Sequence, residues 1–224
     1  MSLGMCFMLA AVLTSGARTS AESNINPNYR WAWGENIGWL NWRHEVPDPN
    51  GIDAGVYIGD TFLAGYIWAE NVGWINVGDG SPTDGVHYAN VDSTDFGVNL
   101  YPDSGRLVGY AWGENVGWIN FEGGAYADPP NMARLENGCR LRGYVWGENV
   151  GWINLDDDEA FVAVLIDGDL DYDADVDLSD LAQLLANYGT TGGATYEDGD
   201  IDADGDVDLS DLAALLAHYG ETCP

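Results

Sequence analysis

Residues 109–121 read Gly109-Tyr-Ala-Trp-Gly-Glu-Asn-Val-Gly-Trp-Ile-Asn-Phe121, and three near-copies of this stretch occur elsewhere in the chain. The other copies are Arg30–Trp42, Gly65–Val77 and Gly143–Leu155. The two tryptophan positions of the motif account for eight of the ten tryptophans, and successive copies lie 34 to 44 residues apart. Such a repeat predicts an array of one supersecondary unit, which buries its apolar face against its neighbours.

Each copy predicts a β-hairpin, because β-branched and aromatic residues flank a short polar segment containing Asn and Gly. A loop centred on Asn115 places Trp112 opposite Trp118, whereas a four-residue loop would place Trp112 opposite Gly117, and both registers remain open. The second copy has alanine at the first loop position, so positive φ is not expected there. We therefore expect left-handed backbone at the central asparagines, which tolerate it best after Gly. These are Asn36, Asn71, Asn115 and Asn149.

A weaker strand pattern precedes three of the hairpins, at residues 55–58, 96–100 and 132–135. The sequence therefore predicts a mainly β domain over residues 22–166, made of four three-stranded hairpin units. The segment Phe161–Ile166 follows the last hairpin and could pair with the first unit. That pairing would close the array into a ring and remove exposed sheet edges, and an open stack is the alternative.

The chain is strongly acidic, with 37 Asp and Glu against seven Arg and no Lys, for a formal charge of −30. Such a surface repels nucleic acid and anionic membranes and favours divalent cations or cationic partners. From Asp156 to the end there are 20 acidic residues and no Lys or Arg. This segment predicts either a solvated acidic tail or a metal site.

Residues 1–21 resemble a secretory signal, with an apolar run from Leu3 to Leu13 followed by small residues, and a buried N-terminal strand is the alternative. A signal predicts a secreted or cell-surface protein. No other segment is long enough to span a membrane. In an exported protein a disulfide between Cys139 and Cys223 is allowed, and the sequence leaves open whether the two residues meet.

The repeated tryptophans have two interpretations. They can form the core of small units that are poor in aliphatic residues, which we favour, or they can be exposed and bind the faces of sugar rings. The possible glycan-binding residues are Trp33, Trp39, Trp68, Trp74, Trp112, Trp118, Trp146 and Trp152. Each motif also has a glutamate, but four near-identical copies argue against the asymmetric carboxylate pair of a glycosidase. We therefore predict that the protein is not an enzyme.

Two acidic stretches, Asp169–Asp180 and Asp200–Asp211, match at an offset of 31 residues. Each has carboxylates at positions 1, 3, 5, 9 and 12 of a 12-residue loop, the EF-hand arrangement that converges on one hard cation. An apolar helix is predicted after each loop, at residues 181–188 and 212–219, and each ends at a glycine.

Two loop–helix halves without entering helices closely resemble a type I dockerin module, over residues 167–224. The resemblance implies two bound Ca²⁺ ions, a pseudo-twofold pair of antiparallel helices, and a cohesin-like or cell-surface protein as partner. Ala174 occupies position 6 of the first loop, where the sharp turn favours Gly. The first site is therefore expected to bind Ca²⁺ more weakly than the second. Carried over by position, the ligands are Asp169, Asp171, Asp173, Asp175, Asp177, Asp180, Asp200, Asp202, Asp204, Asp206, Asp208 and Asp211, and the partner-binding positions are Leu178, Ser179, Leu209 and Ser210.

These features predict an exported, non-catalytic protein whose calcium-stabilised docking module attaches a Trp-rich β domain to a surface or assembly. The alternative is a carbohydrate-binding component of a polysaccharide-degrading system.

Overall fold

A computed structural model describes residues 23–44 and 55–223 of the chain. The predicted signal at residues 1–21 lies outside the described residues. The fold is mostly β: it comprises a closed eight-stranded antiparallel barrel, further strands, and two C-terminal helices.

The eight barrel strands are the paired arms of the four hairpins. They are β1 (Ile25–Gly34), β2 (Gly38–Asn41), β4 (Leu63–Ala69), β5 (Gly73–Gly78), β7 (Arg106–Gly113), β8 (Gly117–Asn120), β11 (Tyr144–Gly147) and β12 (Gly151–Asn154). The other elements are β3 (Val56–Ile58), β6 (Val98–Tyr101), β9 (Arg134–Glu136), β10 (Arg140–Arg142), β13 (Val162–Val164), α1 (Leu178–Asn187) and α2 (Leu209–His218). Short 3₁₀ turns lie at Gly123–Tyr126 and Tyr196–Asp198.

Neighbouring hairpins pair edge to edge, so the four units merge into one barrel. The second arm of each hairpin pairs with the first arm of the next, and β12 pairs with β1 to complete the circle. At this closing pair Trp33 lies opposite Asn154. The structure therefore excludes the open stack. The predicted pairing of the last strand with the first unit is also found, because Val162 of β13 lies opposite Arg30 of β1. The expectation that this pairing closes the ring is wrong, since β12 makes the closing pair with β1.

The hairpin turns have the three-residue register. Trp112 lies opposite Trp118 and Gly113 opposite Gly117, and the Val116 N–H donates to the Gly113 carbonyl at 3.1 Å. The left-handed residue is Gly117, with φ +77°, as in a type I turn followed by a glycine bulge. The expectation of left-handed asparagines is therefore wrong, since the glycine after the loop already supplies that conformation.

The repeated asparagines instead link each turn to the turn before it. Each side-chain amide donates to a backbone carbonyl of the preceding hairpin, and the first hairpin donates to the fourth. The pairs are Asn36 to Val150 at 3.3 Å, Asn71 to Ile37 at 3.1 Å, Asn115 to Val72 at 2.9 Å and Asn149 to Val116 at 3.0 Å. These four hydrogen bonds form a continuous ring around one end of the barrel.

We expect Asn115→Ala to lower the free energy of unfolding by about 1 kcal/mol, because it removes one hydrogen bond of this ring. The measurement is urea unfolding followed by tryptophan fluorescence. Glu114→Ala is the matched control, since Glu114 is the exposed neighbour in the same loop. Equal losses from the two variants would contradict the inter-hairpin role of the asparagine.

The barrel interior is filled by small residues near the turns and by larger ones farther along the strands. Ala111 and Gly113 face inward on β7, and Ile119 faces them from β8. Below them Trp42 and Phe121 are both buried and pack edge to face, with ring centroids 6.4 Å apart. This pair contains the largest fully buried side chains among the described residues.

The two C-terminal helices are related by an approximate twofold. The Gly189 N–H after α1 donates to Val207 before α2, and the Gly220 N–H after α2 donates to Val176 before α1, both at 2.8 Å. Each helix end therefore lies beside the start of the other helix, and the helices are antiparallel. Within the described residues, no helix is long and apolar enough to cross a membrane.

Only part of the apolar face of α1 is buried. Leu184 is buried and Leu181 is partly buried, but Leu185 and Tyr188 of the same helix are exposed. In a module with only two helices, one side of each helix is covered by the other, so the buried stripe is narrow.

The first acidic loop is packed on the barrel. Cys139 and Cys223 form a disulfide, with Cα atoms 5.7 Å apart, and Ala174 lies in the same buried cluster. The buried Asn26 side chain of β1 donates to an Asp169 carboxylate oxygen at 3.0 Å. The two acidic loops and the two helices, which we call the C-terminal module, are therefore attached to the barrel through the first loop.

Candidate metal sites and aromatic surface

The last aspartate of each acidic loop closes that loop. Asp180 is buried, and its Oδ1 accepts the N–H groups of Leu170 at 2.7 Å and Asp171 at 3.3 Å. Its Oδ2 accepts the N–H of Asp177 at 2.8 Å. Asp211 makes the same three hydrogen bonds in the second loop. Both carboxylates are therefore held in place by their own loop.

The first aspartate of each loop is also buried. Asp169 accepts the N–H groups of Asp173 and Ala174, each at 3.1 Å, and Asp200 accepts the equivalent pair from Asp204 at 3.1 Å and Gly205 at 2.9 Å. The two loops thus share one hydrogen-bonding pattern, which fixes the carboxylates at positions 1 and 12 relative to each other.

Three carboxylates converge in each loop, with one oxygen from each within 4.8 Å of the others. The groups are Asp169, Asp171 and Asp180 in the first loop, and Asp200, Asp202 and Asp211 in the second. These groups could hold a metal ion, and they include positions 1, 3 and 12 of the predicted ligand set. A further group in the first loop joins Asp180 to Asp175 and Asp177.

Four of the remaining predicted ligands accept backbone hydrogen bonds from the residue two positions later. Asp177 and Asp208 cap the helices, and each accepts the N–H of the serine two residues later. Asp173 accepts the N–H of Asp175 at 3.3 Å, and Asp204 accepts that of Asp206 at 2.9 Å. These aspartates therefore shape the loop as well as surrounding the candidate site.

The carboxylates of the acidic loops repel one another. Burial, together with the charges of Asp180 and Asp173, raises the pKa of Asp169 to about 7. Burial and neighbouring carboxylates also raise the pKa of Asp171, and of Asp202 in the second loop. Such a group of carboxylates is unfavourable in its ionised form unless a positive charge lies among them. A divalent cation would supply that charge.

The two loops differ at position 6. Both residues have positive φ, +72° at Ala174 and +91° at Gly205. The Ala174 side chain is buried in the cluster with the disulfide, so its methyl group contributes to the contact with the barrel. Neither this contact nor the hydrogen bond from Asn26 to Asp169 was predicted from the sequence. Nothing in the sequence distinguishes Asn26 from other polar strand residues.

The repeated tryptophans lie on the outside of the barrel, so the favoured core interpretation is wrong. Trp33 and Trp39 are each 42% exposed, and their rings pack edge to face at 4.9 Å. Equivalent pairs follow on the next two hairpins, at 4.8 Å in each. Together Trp33, Trp39, Trp68, Trp74, Trp112, Trp118, Trp146 and Trp152 form what we call the tryptophan belt.

Rings from connecting segments cover part of the tryptophan belt. His44 stacks on Trp68 at 5.4 Å and also lies 5.2 Å from Trp74. Phe96 packs edge to face on Trp118 at 5.0 Å. On the second and third hairpins the chain therefore places a ring of its own against the outer indoles.

A groove of about 520 Å³ lies where the fourth hairpin meets the first. We call it the seam groove. Its lining includes the aromatic residues Trp33, Tyr126, Tyr144 and Trp152 and the acidic residues Glu35 and Asp128. A Glu35 carboxylate oxygen accepts the backbone N–H of Trp152 at 3.4 Å, so this glutamate is hydrogen-bonded to the neighbouring hairpin. The groove combines flat apolar surface with hydrogen-bond acceptors.

Comparison with protein-family models, with curated proteins and with solved structures finds no match to this chain. The function must therefore be inferred from the geometry of the acidic loops and of the tryptophan belt.

Proposed function

We propose that this is an exported, non-catalytic protein whose two acidic loops bind Ca²⁺. The bound ions stabilise a C-terminal module that docks to a partner protein. The observation that supports this most directly is the identical pattern of hydrogen bonds around the buried first and last aspartates of both loops. Oxygen-rich loops of this spacing suit Ca²⁺, which takes six to eight oxygen ligands. Two ions per chain follow from the two loops.

The docking surface would be formed by the start of each helix. Leu178 is 66% exposed and Leu209 is 67% exposed, and an exposed serine follows each of them. Leu185 and Leu216, both exposed, extend the apolar surface one to two turns along each helix. Four exposed leucines on so small a module form an apolar surface that suits a protein partner, here a cohesin-like or cell-surface protein.

Calcium titration of the full chain by calorimetry tests the metal assignment, with two ions bound per chain as the expected result.

To test docking, the immobilised chain is exposed to envelope and secreted proteins of the source cell. We expect a partner that is released by EDTA and is lost in the double variant Leu178→Asp, Leu209→Asp. Val91→Asp is the control, because Val91 is an exposed apolar residue of a barrel loop. Capture that survives in EDTA would contradict the proposal.

The outward tryptophans favour a second candidate, glycan binding by the barrel within a polysaccharide-degrading system. Exposed indoles stack on the apolar faces of sugar rings, and several weak sites on one barrel add avidity. The four repeated glutamates are all exposed at the turns, which supports binding over glycoside hydrolysis, since the general acid of a glycosidase is a buried carboxyl group. Quenching of tryptophan fluorescence by soluble glycans tests this candidate.

A further inference from the structure

We propose that the seam groove binds a pyranose ring that carries an unacetylated amine, that is, a cationic amino sugar in an oligosaccharide. The inference rests on the second candidate function, glycan binding by the outward tryptophans, and it assigns both the place and the chemical class of the ligand.

The repeats show that a ring fits at this position. Trp74, Trp118 and Trp152 occupy the same place in successive hairpins. His44 lies against Trp74 and Phe96 lies against Trp118, so each of these indoles has a ring contact from a connecting segment. Among the ring contacts of the described residues, Trp152 has only Tyr144, from its own hairpin.

The connecting segment of the fourth hairpin lines the seam groove. It carries Tyr126, which is 85% exposed and lines the rim of the seam groove. At the third hairpin Phe96 lines a cavity of about 480 Å³ beside Trp118. At the fourth hairpin, among the described residues, no ring from the connecting segment contacts Trp152, and the cavity beside this indole measures about 520 Å³. This volume is in the range of small-molecule sites and is far larger than an isolated ammonium group needs, so it suits a ring-sized or longer ligand.

The charge of the groove selects among ring ligands. Glu35 and Asp128 are in its lining, none of its lining side chains is cationic, and the whole chain has a formal charge of −30. Carboxylates only accept hydrogen bonds, which suits the hydroxyl groups of a sugar and suits an ammonium group better, through charge-assisted bonds. The indole faces of Trp33 and Trp152 attract the same cation. Sugars with carboxylate or phosphate groups are disfavoured.

The test compares three tetrasaccharides on the full chain with Ca²⁺ present: a glucosamine tetrasaccharide, its fully N-acetylated counterpart, and a neutral glucose tetrasaccharide. Binding is measured by calorimetry and by tryptophan fluorescence below pH 7, where the amines are protonated. We expect the glucosamine ligand to bind at least about tenfold more tightly than the other two, and to weaken as salt is raised.

Variants then locate the site. We expect Glu35→Gln to weaken glucosamine binding about tenfold and Trp152→Ala to abolish it, with the fold of each variant checked by circular dichroism. Glu114→Gln is the matched control, because Glu114 is the equivalent residue of the third hairpin, and it should leave binding unchanged. Tetramethylammonium chloride serves as a competitor that carries charge without a ring, and we expect no competition at equal concentration.

Equal binding of the acetylated and unacetylated ligands would overturn the charge selection and leave glycan binding intact. Binding of none of the three would overturn both. Equal losses from Glu35→Gln and Glu114→Gln would show attraction by the general acidity of the chain, and effective competition by tetramethylammonium would show a cation site that does not require a sugar. Either of these results would overturn the assignment of the groove.

Discussion

Chelation of calcium with EDTA is expected to unfold α1 and α2 while the barrel stays folded. Asp169, Asp180 and Asp211 are buried carboxylates that would lose their counter-charge. At free calcium 100-fold above the dissociation constant, each proposed site would stabilise the module by about 2.7 kcal/mol. That is comparable with the whole stability of a domain of this size. The measurement is the helical circular dichroism signal in calcium and in EDTA.

Tryptophan fluorescence provides an internal control in the same sample. All ten tryptophans lie between residues 31 and 152, in the barrel part of the chain, and none lies in the C-terminal module. We therefore expect the fluorescence spectrum to change little in EDTA. A helical signal that is the same with and without calcium would show that the module is stable by itself.

Alanine variants at the last position of each loop test the two proposed calcium sites separately. Asp211→Ala is expected to lower calcium affinity and module stability more than Asp180→Ala. The reason is that Ala174 holds a left-handed backbone in the first loop, which costs about 1–2 kcal/mol for a residue other than glycine, while Gly205 adopts it without that cost. The first loop is also held by Asn26 and the disulfide, which do not depend on calcium. The reverse ranking would contradict this account.

Trp42→Ala is expected to lower the free energy of unfolding of the barrel by about 3–5 kcal/mol. The Trp42 side chain is 1% exposed and packs edge to face on Phe121, so its truncation leaves a large cavity inside a closed barrel. The surrounding strands are hydrogen-bonded on both sides and cannot collapse into that space. Urea unfolding in the presence of calcium, followed by tryptophan fluorescence, measures the loss.

Trp39→Ala is the matched control within the same hairpin. Trp39 lies three residues earlier and faces outward, so its truncation removes a surface pair with Trp33 and is expected to cost about 1 kcal/mol or less. Similar losses from the two variants would contradict the assignment of Trp42 to the interior and of Trp39 to the belt.

Features that depend on near neighbours in the chain could be predicted from the sequence. The pairing of Trp112 with Trp118 follows from a turn whose glycine accepts positive φ, and that register is one of the two derived from the motif. The two acidic loops and the helices after them follow from spacings of a few residues, because alternate side chains of a tight loop must converge. Such features need no knowledge of what packs against them.

The direction in which the tryptophans face was decided by the tertiary structure. Along β7 the motif alternates small residues, Ala111 and Gly113, with large ones, Tyr110 and Trp112, and alternation alone does not say which set is inside. Closure of eight strands leaves an interior that side chains of moderate size fill, and eight indoles would not fit. The small set therefore faces inward and the indoles form the outer belt.

The hairpins, their repetition and the acidic loops are each specified by residues close together in the chain, so they can be derived from the sequence. Which surface those residues form depends on contacts between distant parts of the chain. Asn115 reaches another turn because β5 and β7 are adjacent, and Asn26 reaches Asp169 because the C-terminal module packs on β1. These contacts join residues 43 and 143 positions apart, and their partners are set by the closure of the barrel and the disulfide.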